Sequence, residues 1–210
     1  MLVRDRMSKI PITTNPSATV PDALQVMRGS KVRQLPVVNE KGDLVGIVAL
    51  DDLLRVSPSP ATSLSVWELD YLLEKITVEK VMTRDVITVT EDTAIEEAGR
   101  IMADNKISGL PVMRDGDLVG IISESHLFHV LLELFGARDP GIRVTTKVQR
   151  EKGTLARISS AISALGAQFV AFGIASDSET VTFKVQDVDR DLLIKTLEPL
   201  VVSILDARES

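Results

Sequence analysis

The chain has 210 residues, 44% of them hydrophobic and 26% charged, the balance of a soluble protein large enough for two compact bodies. It has no cysteine, which excludes disulfides and thiolate metal sites. Its 30 acidic residues against 24 basic ones, with only 3% aromatics, argue against broad phosphate-backbone binding or base stacking, so no nucleic-acid partner is expected. No apolar run reaches the ~18 residues of a membrane helix, and the start Met1-Leu2-Val3-Arg4-Asp5-Arg6 holds no apolar signal core. The expectation is a cytoplasmic protein without a membrane partner.

An internal repeat organises the first two thirds. Met7 and Met82 stand 75 apart, and the same offset relates Ile12-Thr13 to Ile87-Thr88, Met27 to Met102 and Leu35-Pro36-Val37 to Leu110-Pro111-Val112. One residue drops out after Val38, and Gly42-Asp43-Leu44-Val45-Gly46 then matches Gly116-Asp117-Leu118-Val119-Gly120 at 74. Each copy predicts a short strand (Ile12–Thr14, Ile87–Val89) and then a helix. Thr19 with Asp22, and Thr93 with Glu96, have capping-box spacing, and Pro21 suits a first turn. A strand follows (Leu35–Val38, Leu110–Met113), then a Gly-Asp hairpin turn. The next strand is a continuous apolar run (Leu44–Leu50, Leu118–Ile122), as expected where both faces are buried. A closing helix begins at Asp51 and at Glu124. Between the copies, Ser57-Pro58-Ser59-Pro60 breaks the chain, and Ser65-Val66-Trp67-Glu68 has the look of a helix start whose Trp67 and Leu69 pack as spacer residues. The units predicted are 1–56, a linker with a short helix over 57–75, and 76–136.

This β-α-β-β-α pattern, with its Leu-Pro-Val strand, Gly-Asp hairpin and Gly-hydrophobic-hydrophobic run, resembles the CBS domain, and two in tandem resemble the pair that binds adenosine compounds. The resemblance covers about residues 1 to 136. It implies that the run after the hairpin ends Gly-x-x-Ser/Thr-x-x-Asp, the hydroxyl meeting phosphate and the carboxylate meeting ribose. Copy one reads Gly46-Ile47-Val48-Ala49-Leu50-Asp51-Asp52, keeping the carboxylate as Asp52 and losing the hydroxyl. Copy two reads Gly120-Ile121-Ile122-Ser123-Glu124-Ser125-His126, keeping the hydroxyl as Ser123 with His126 in the carboxylate position. Further phosphate donors are Thr13, Thr14 and Arg33 in copy one, and Thr88 and Ser108 in copy two; the only cation among them ranks copy one first. Without any ligand, Asp52 and Ser123 serve as helix-start residues and Arg33 as a solvated charge.

Residues 140–210 form the third unit, set off by Gly136 and Asp139-Pro140-Gly141. Ile142, Val144, Thr146 and Val148 alternate with Arg143, Thr145, Lys147 and Gln149, a half-buried strand. Gly153-Thr154 opens a helix that Gly166 ends. Phe169–Ala175 and Thr180–Val185 are strands around the turn Ser176-Asp177-Ser178-Glu179. A helix over Asp189–Leu197 and a strand over Val201–Leu205 follow. The order βαββαβ predicts a ferredoxin-like plait, whose small sheet leaves one bare face suited to pairing with a second copy. Lys-Gly-Thr-Leu-Ala-Arg-Ile resembles the entry of an ACT domain, which implies an amino-acid site near Glu151, Gly153 and Thr154, although Lys152 stands where that family has proline.

The fold class is therefore α+β, two tandem CBS domains followed by a ferredoxin-like ACT-type domain. This order resembles the acetoin-utilisation regulatory protein family (its B component). That implies a non-catalytic regulator linked to acetoin or acetyl-group metabolism, with an adenine nucleotide (AMP, ADP or ATP) as effector, no required cofactor, a homodimeric state and a regulated enzyme as partner. An amino-acid sensor and a ligand-free dimerisation scaffold remain the alternatives. No Walker loop, nucleophile elbow or post-strand GxGxxG signals an enzyme. His126, His129 and Glu133 lie at i, i+3 and i+7, a spacing a divalent metal uses, with packing residues on an amphipathic helix the favoured reading.

Overall fold

The computed structural model describes residues 1–56 and 75–210, in two compact units, Met1–Leu127 and Phe128–Ser210. The spacer residues from Ser57 to Leu69, Trp67 included, lie outside the described residues.

In the first unit, copy one contributes α1 (Val20–Ser30), β1 (Gln34–Val38), β2 (Leu44–Ala49) and α2 (Leu50–Val56). The α1 start forms as its sequence dictates. Thr19 Oγ1 accepts the Asp22 N–H at 3.3 Å, Asp22 Oδ2 accepts the Thr19 N–H at 3.3 Å, and Pro21 sits in the first turn. Apolar residues at helical spacing (Val20, Ala23, Leu24, Met27) bury against Leu35, Val37, Val48 and Leu53. Each such side chain removed from water contributes about 1.5–3 kcal/mol.

Copy two repeats the scheme with α3 (Val78–Val81) and β3 (Val89–Thr90), then α4 (Ile95–Asn105), β4 (Gly109–Arg114), β5 (Asp117–Ser123) and α5 (Glu124–Leu134). β3 runs parallel to β4, which is antiparallel to β5; in copy one the same parallel pairing shrinks to a single bridge between Thr14 and Val37. Two sequence expectations fail locally. Thr93 does not cap α4: its Oγ1 turns back to accept the Thr90 N–H at 3.1 Å, and Ala94 takes the cap position with no side-chain bond. The apolar hairpin strands are not buried on both faces. In β2 only Gly46 and Val48 are buried, and in β5 only Gly120 and Ile122, because the second face is covered by a single extended segment.

That segment comes from the other copy. Ser8 and Ile121 exchange both backbone hydrogen bonds (3.0 and 3.1 Å), so the stretch leading copy one lies along β5 of copy two. Thr83 and Ile47 exchange theirs (2.9 and 2.9 Å), so the stretch leading copy two lies along β2 of copy one. Val3 and Val78, at the same offset of 75, are both fully buried, and Val78 belongs to the copy-one core. Gly120 and Gly46 allow the approach: a Cβ at Gly120 would sit 2.8 Å from the Ser8 carbonyl, and one at Gly46 3.1 Å from that of Thr83.

The second unit has β6 (Ile142–Lys147), α6 (Thr154–Ala164), β7 (Gln168–Ile174), β8 (Thr180–Gln186), α7 (Arg190–Leu197) and β9 (Ser203–Glu209), the βαββαβ order. The antiparallel sheet runs β7-β8-β6-β9. Ile142, Val144, Val181, Phe183 and Val185 form one core with Ile158 and Ile162 of α6 and Leu193 and Leu197 of α7. Asp189 caps α7 by accepting the Asp191 and Leu192 N–H groups, both at 3.0 Å. The face away from the helices carries polar side chains. Thr145 and Thr182 share a 3.0 Å hydroxyl contact, Arg143 reaches Asp206 at 3.4 Å, and the Lys184 ammonium donates to the Gly136 carbonyl at 3.1 Å. Lys184 is only 4% exposed, a charge held down by the chain end of α5.

Candidate functional site

In copy one the backbone sets Arg33 and Asp52 where β1 begins and β2 ends, while Thr14 lies beside Val37 toward the other end of β1. The Arg33 carbonyl accepts the Leu50 N–H at 2.8 Å and Gln34 pairs with Ala49, which sets Arg33 beside the start of α2. Thr14 is tied to β1 by its N–H to Pro36 O (3.0 Å) and by the Val38 N–H to its own carbonyl (2.9 Å). Asp52, in the first turn of α2, turns Oδ2 back to accept the Ala49 N–H at 3.0 Å. This bond satisfies a helix-start donor and also fixes the carboxylate's direction. Its other oxygen has no hydrogen-bond partner among the described residues, nor do the Thr13 and Thr14 hydroxyls or the Arg33 guanidinium. Arg33 is exposed, and Thr13, Thr14 and Asp52 are half-buried. A fixed anionic acceptor beside a cation, with hydroxyls further along the same strand, offers the kinds of group a polyol phosphate needs.

Copy two builds the same frame with different chemistry. The Ser108 carbonyl accepts the Glu124 N–H at 3.0 Å and Gly109 pairs with Ser123, each bond the repeat of its counterpart in copy one. The cap acceptor is now the imidazole: His126 Nδ1 accepts the Ser123 N–H at 3.1 Å and lies 3.0 Å from Ser123 Oγ. An Nδ1 that accepts leaves the ring proton on Nε2, which stands 3.3 Å from Ser8 Oγ. Ser123 and His126 are thus tied to each other and to the exchanged leading segment, and no carboxylate stands where Asp52 stands in copy one. Thr88 and Ser108 are exposed.

Two contacts lay beyond sequence reasoning. Ser8 meets His126 across 118 positions, and neither residue carries a motif. The Gln34 side chain occupies the space that a Cβ at Gly109 would fill, so β1 and β4 abut at their starts. The only sequence signal there is that Gln34 and Gly109, equivalent by the 75 offset, differ so much in size.

The other candidates are arranged differently. No group of three His, Cys, Asp or Glu side chains able to hold a metal gathers among the described residues, and His126 serves as the cap just described. In the second unit, Gly153 adopts φ 85° ahead of α6. Thr154 is buried, donating to the Gln149 carbonyl at 3.2 Å and accepting from Arg157 at 3.2 Å, while Glu151 pairs with Arg157 at 3.3 Å. The hydroxyl and carboxylate expected to receive an amino acid are therefore engaged within the chain. No helix among the described residues is long and apolar enough to cross a membrane.

Comparison with known proteins places this frame. The profile of the CBS domain matches residues 3–59 and 78–133. The solved CBS domain pair of protein MJ0100, in complex with 5′-methylthioadenosine and S-adenosyl-L-methionine, is 30% identical at a TM-score of 0.52, covering 62% of this chain and 99% of that one. CBSX2 of Arabidopsis thaliana, in complex with AMP, is 30% identical at a TM-score of 0.53, over 62% of this chain and 96% of its own. A Vibrio cholerae protein assigned to acetoin utilization (AcuB) is 29% identical at a TM-score of 0.54, over 66% of this chain and 96% of its own.

Proposed function

Because the chain belongs to the CBS domain family, we propose that its CBS pair binds an adenosine-containing ligand of the AMP, ADP or ATP type in the copy-one cleft and acts as a regulatory module without catalysis. The observation that carries this reading is the Asp52 carboxylate, held by the Ala49 N–H with its other oxygen, unpartnered among the described residues, able to accept from a ribose diol. Arg33, Thr13 and Thr14 would face the phosphate. The adenosine ligands of the MJ0100 pair and of CBSX2 support the ligand class. The effector is then a signal rather than a cofactor. It changes the affinity of a two-chain state for a regulated enzyme by binding one arrangement more tightly than another. The likeness to AcuB supports a role in acetoin or acetyl-group metabolism in the cytoplasm.

The units would be CBS domains over 1–56 and 76–136, a linker over 57–75 and an ACT-like, ferredoxin-like domain over 140–210. An amino-acid effector at Glu151, Gly153 and Thr154 gains no support from hydroxyl and carboxylate groups already engaged by Gln149 and Arg157. Calorimetry of the full chain with AMP, ADP, ATP and S-adenosylmethionine, against the twenty amino acids, tests the reading. Heat with an adenosine compound and none with amino acids is expected. Binding of an amino acid alone would overturn it.

A further inference from the structure

Both exchanged leaders are built the same way. Val3 and Val78 are fully buried, and four positions on, the Met7 and Met82 N–H groups donate back to their carbonyls at 2.9 and 2.8 Å, each closing one helical turn. That turn brings each methionine over the hairpin of the opposing copy. The Met7 sulfur lies 2.6 Å from where a Cβ of Gly120 would be, and the Met82 sulfur 2.5 Å from where one of Gly46 would be. The thioethers thus fill the room the glycines leave, beside the Ser8 and Thr83 carbonyls. Unbranched, polarizable methionine suits such a slot.

The chain has six methionines and no cysteine, so thioethers are the sulfur an oxidant meets. The repeat sorts four of them into two pairs of different reach. Met27 and Met102, on the buried faces of α1 and α4, are 1% and 2% exposed. Met7 and Met82 are half-buried, open to a small oxidant. Oxidation turns the apolar thioether into a polar sulfoxide, whose oxygen only accepts hydrogen bonds. Beside Gly120 and Gly46 it would meet the Ser8 and Thr83 carbonyls. The N–H groups of Ser8, Ile121, Thr83 and Ile47 are already spent on the backbone bonds that dock the leaders. A sulfoxide there is crowded and poorly solvated, so oxidation favours the undocked leader, where water reaches it.

We propose that Met7 and Met82 form a paired, reversible oxidation site through which a peroxide loosens the two leaders. The peroxide O–O bond breaks, one oxygen bonds to the sulfur, which gives up an electron pair, and the other leaves as water. A dithiol, oxidised to its disulfide by a methionine sulfoxide reductase, takes the bound oxygen back as water. The site stands on the leaders alone and does not depend on which ligand the clefts bind.

The test treats the full chain with hydrogen peroxide and quenches it with free methionine. Peptide mass spectrometry should find oxygen on Met7 and Met82 roughly tenfold sooner than on Met27 and Met102. Amide hydrogen exchange at Ser8, Ile121, Thr83 and Ile47 should then quicken by roughly tenfold or more, while the Leu24 and Met102 amides inside α1 and α4 keep their protection. A chain with both Met7→Leu and Met82→Leu keeps the side-chain volume and cannot take the oxygen, so the same four amides should not respond to peroxide. Methionine sulfoxide reductase with dithiothreitol should return the oxidised wild type to its first exchange rates, a check that needs no variant. Equal oxidation of all four methionines overturns the proposal, as does unchanged exchange at the four amides once Met7 and Met82 are oxidised. So does an equal response in the leucine chain, or exchange that stays fast after the reductase has removed both oxygens.

Discussion

Replacing Asp52 separates the observed cap from the ribose contact proposed for it. Asp52→Ala removes the acceptor of the Ala49 N–H, and a lost helix-start cap of this kind costs about 0.5–2 kcal/mol of stability. It also removes the proposed ribose acceptor, and a hydrogen bond to a charged group contributes about 1.5–3 kcal/mol, so AMP should bind roughly 10- to 150-fold more weakly. Asp52→Asn divides these effects. Its amide oxygen still accepts the Ala49 N–H, so the melting temperature should stay near that of the wild type. Its NH2 group faces the ligand where an acceptor is required, so affinity should fall as in Asp52→Ala. Thermal unfolding without ligand reads the first effect, and calorimetric titration with AMP reads the second. If Asp52→Asn binds AMP as tightly as the wild type, the carboxylate is not the ribose acceptor and the site has been placed on the wrong residue.

Four further outcomes follow from the geometry. His126→Asp puts into copy two the carboxylate that copy one has, on the same cap bond, so AMP stoichiometry should rise from one to two per chain; an unchanged value would show that the second cleft is closed by something other than His126. Gly120→Ala and Gly46→Ala should each destabilise by about 1–3 kcal/mol, since each Cβ would press on the docked leader (the Ser8 carbonyl at 2.8 Å, that of Thr83 at 3.1 Å); melting temperatures equal to the wild type would contradict that docking. Thr19→Ala should cost about 1 kcal/mol through its cap while Thr93→Ala leaves the start of α4 intact, a contrast that denaturant midpoints can read. The Asp177 carboxylate is held below its usual 3.8, first by the Thr180 hydroxyl and then by the Thr180 and Glu179 N–H groups. Its folded value is depressed, so what it adds to the β7–β8 turn is complete above 3.8 and is lost as pH falls through the lower folded value. A carboxyl NMR titration should show a midpoint below 3.8 that rises in Thr180→Ala; a midpoint at or above 3.8 in the wild type would contradict the turn geometry.

The repeat was legible because each copy must bury the same positions: Met27 and Met102, Leu35 and Leu110, and Gly46 and Gly120 recur with the strands and helices they fill. Which copy a leading segment docks on was not legible. Met7 and Met82 sit at the same offset whether each leader covers its own β-hairpin or the other's, and only the bonds of Ser8 to Ile121 and of Thr83 to Ile47 decide. Capping showed the limit of spacing as a signal. Thr19 and Thr93 precede an acidic residue by the same three positions, yet Thr93 found a nearer donor at Thr90. The cap at Asp52 could be read because a carboxylate in the first turn of a helix suits a free N–H there. The Ser8–His126 contact could not, since it depends on how the two copies exchange segments. The third unit's alternation read correctly into β6, and its polar positions, Arg143 and Thr145, lie with Thr182 and Lys184 on the face away from the helices.

The exchange of leaders also sets an order of events during synthesis. Leu2 to Arg4 have no copy-two partners until Glu91 to Ala94 have emerged, and Ser8 has none until Ile121. Copy one is translated by Val56, yet its β2 edge stays open until Thr83 arrives. Neither copy can finish alone. The leader of copy one thus docks only after much of copy two is made, and a chain stalled between the copies would expose both an unpaired leader and an unpaired strand.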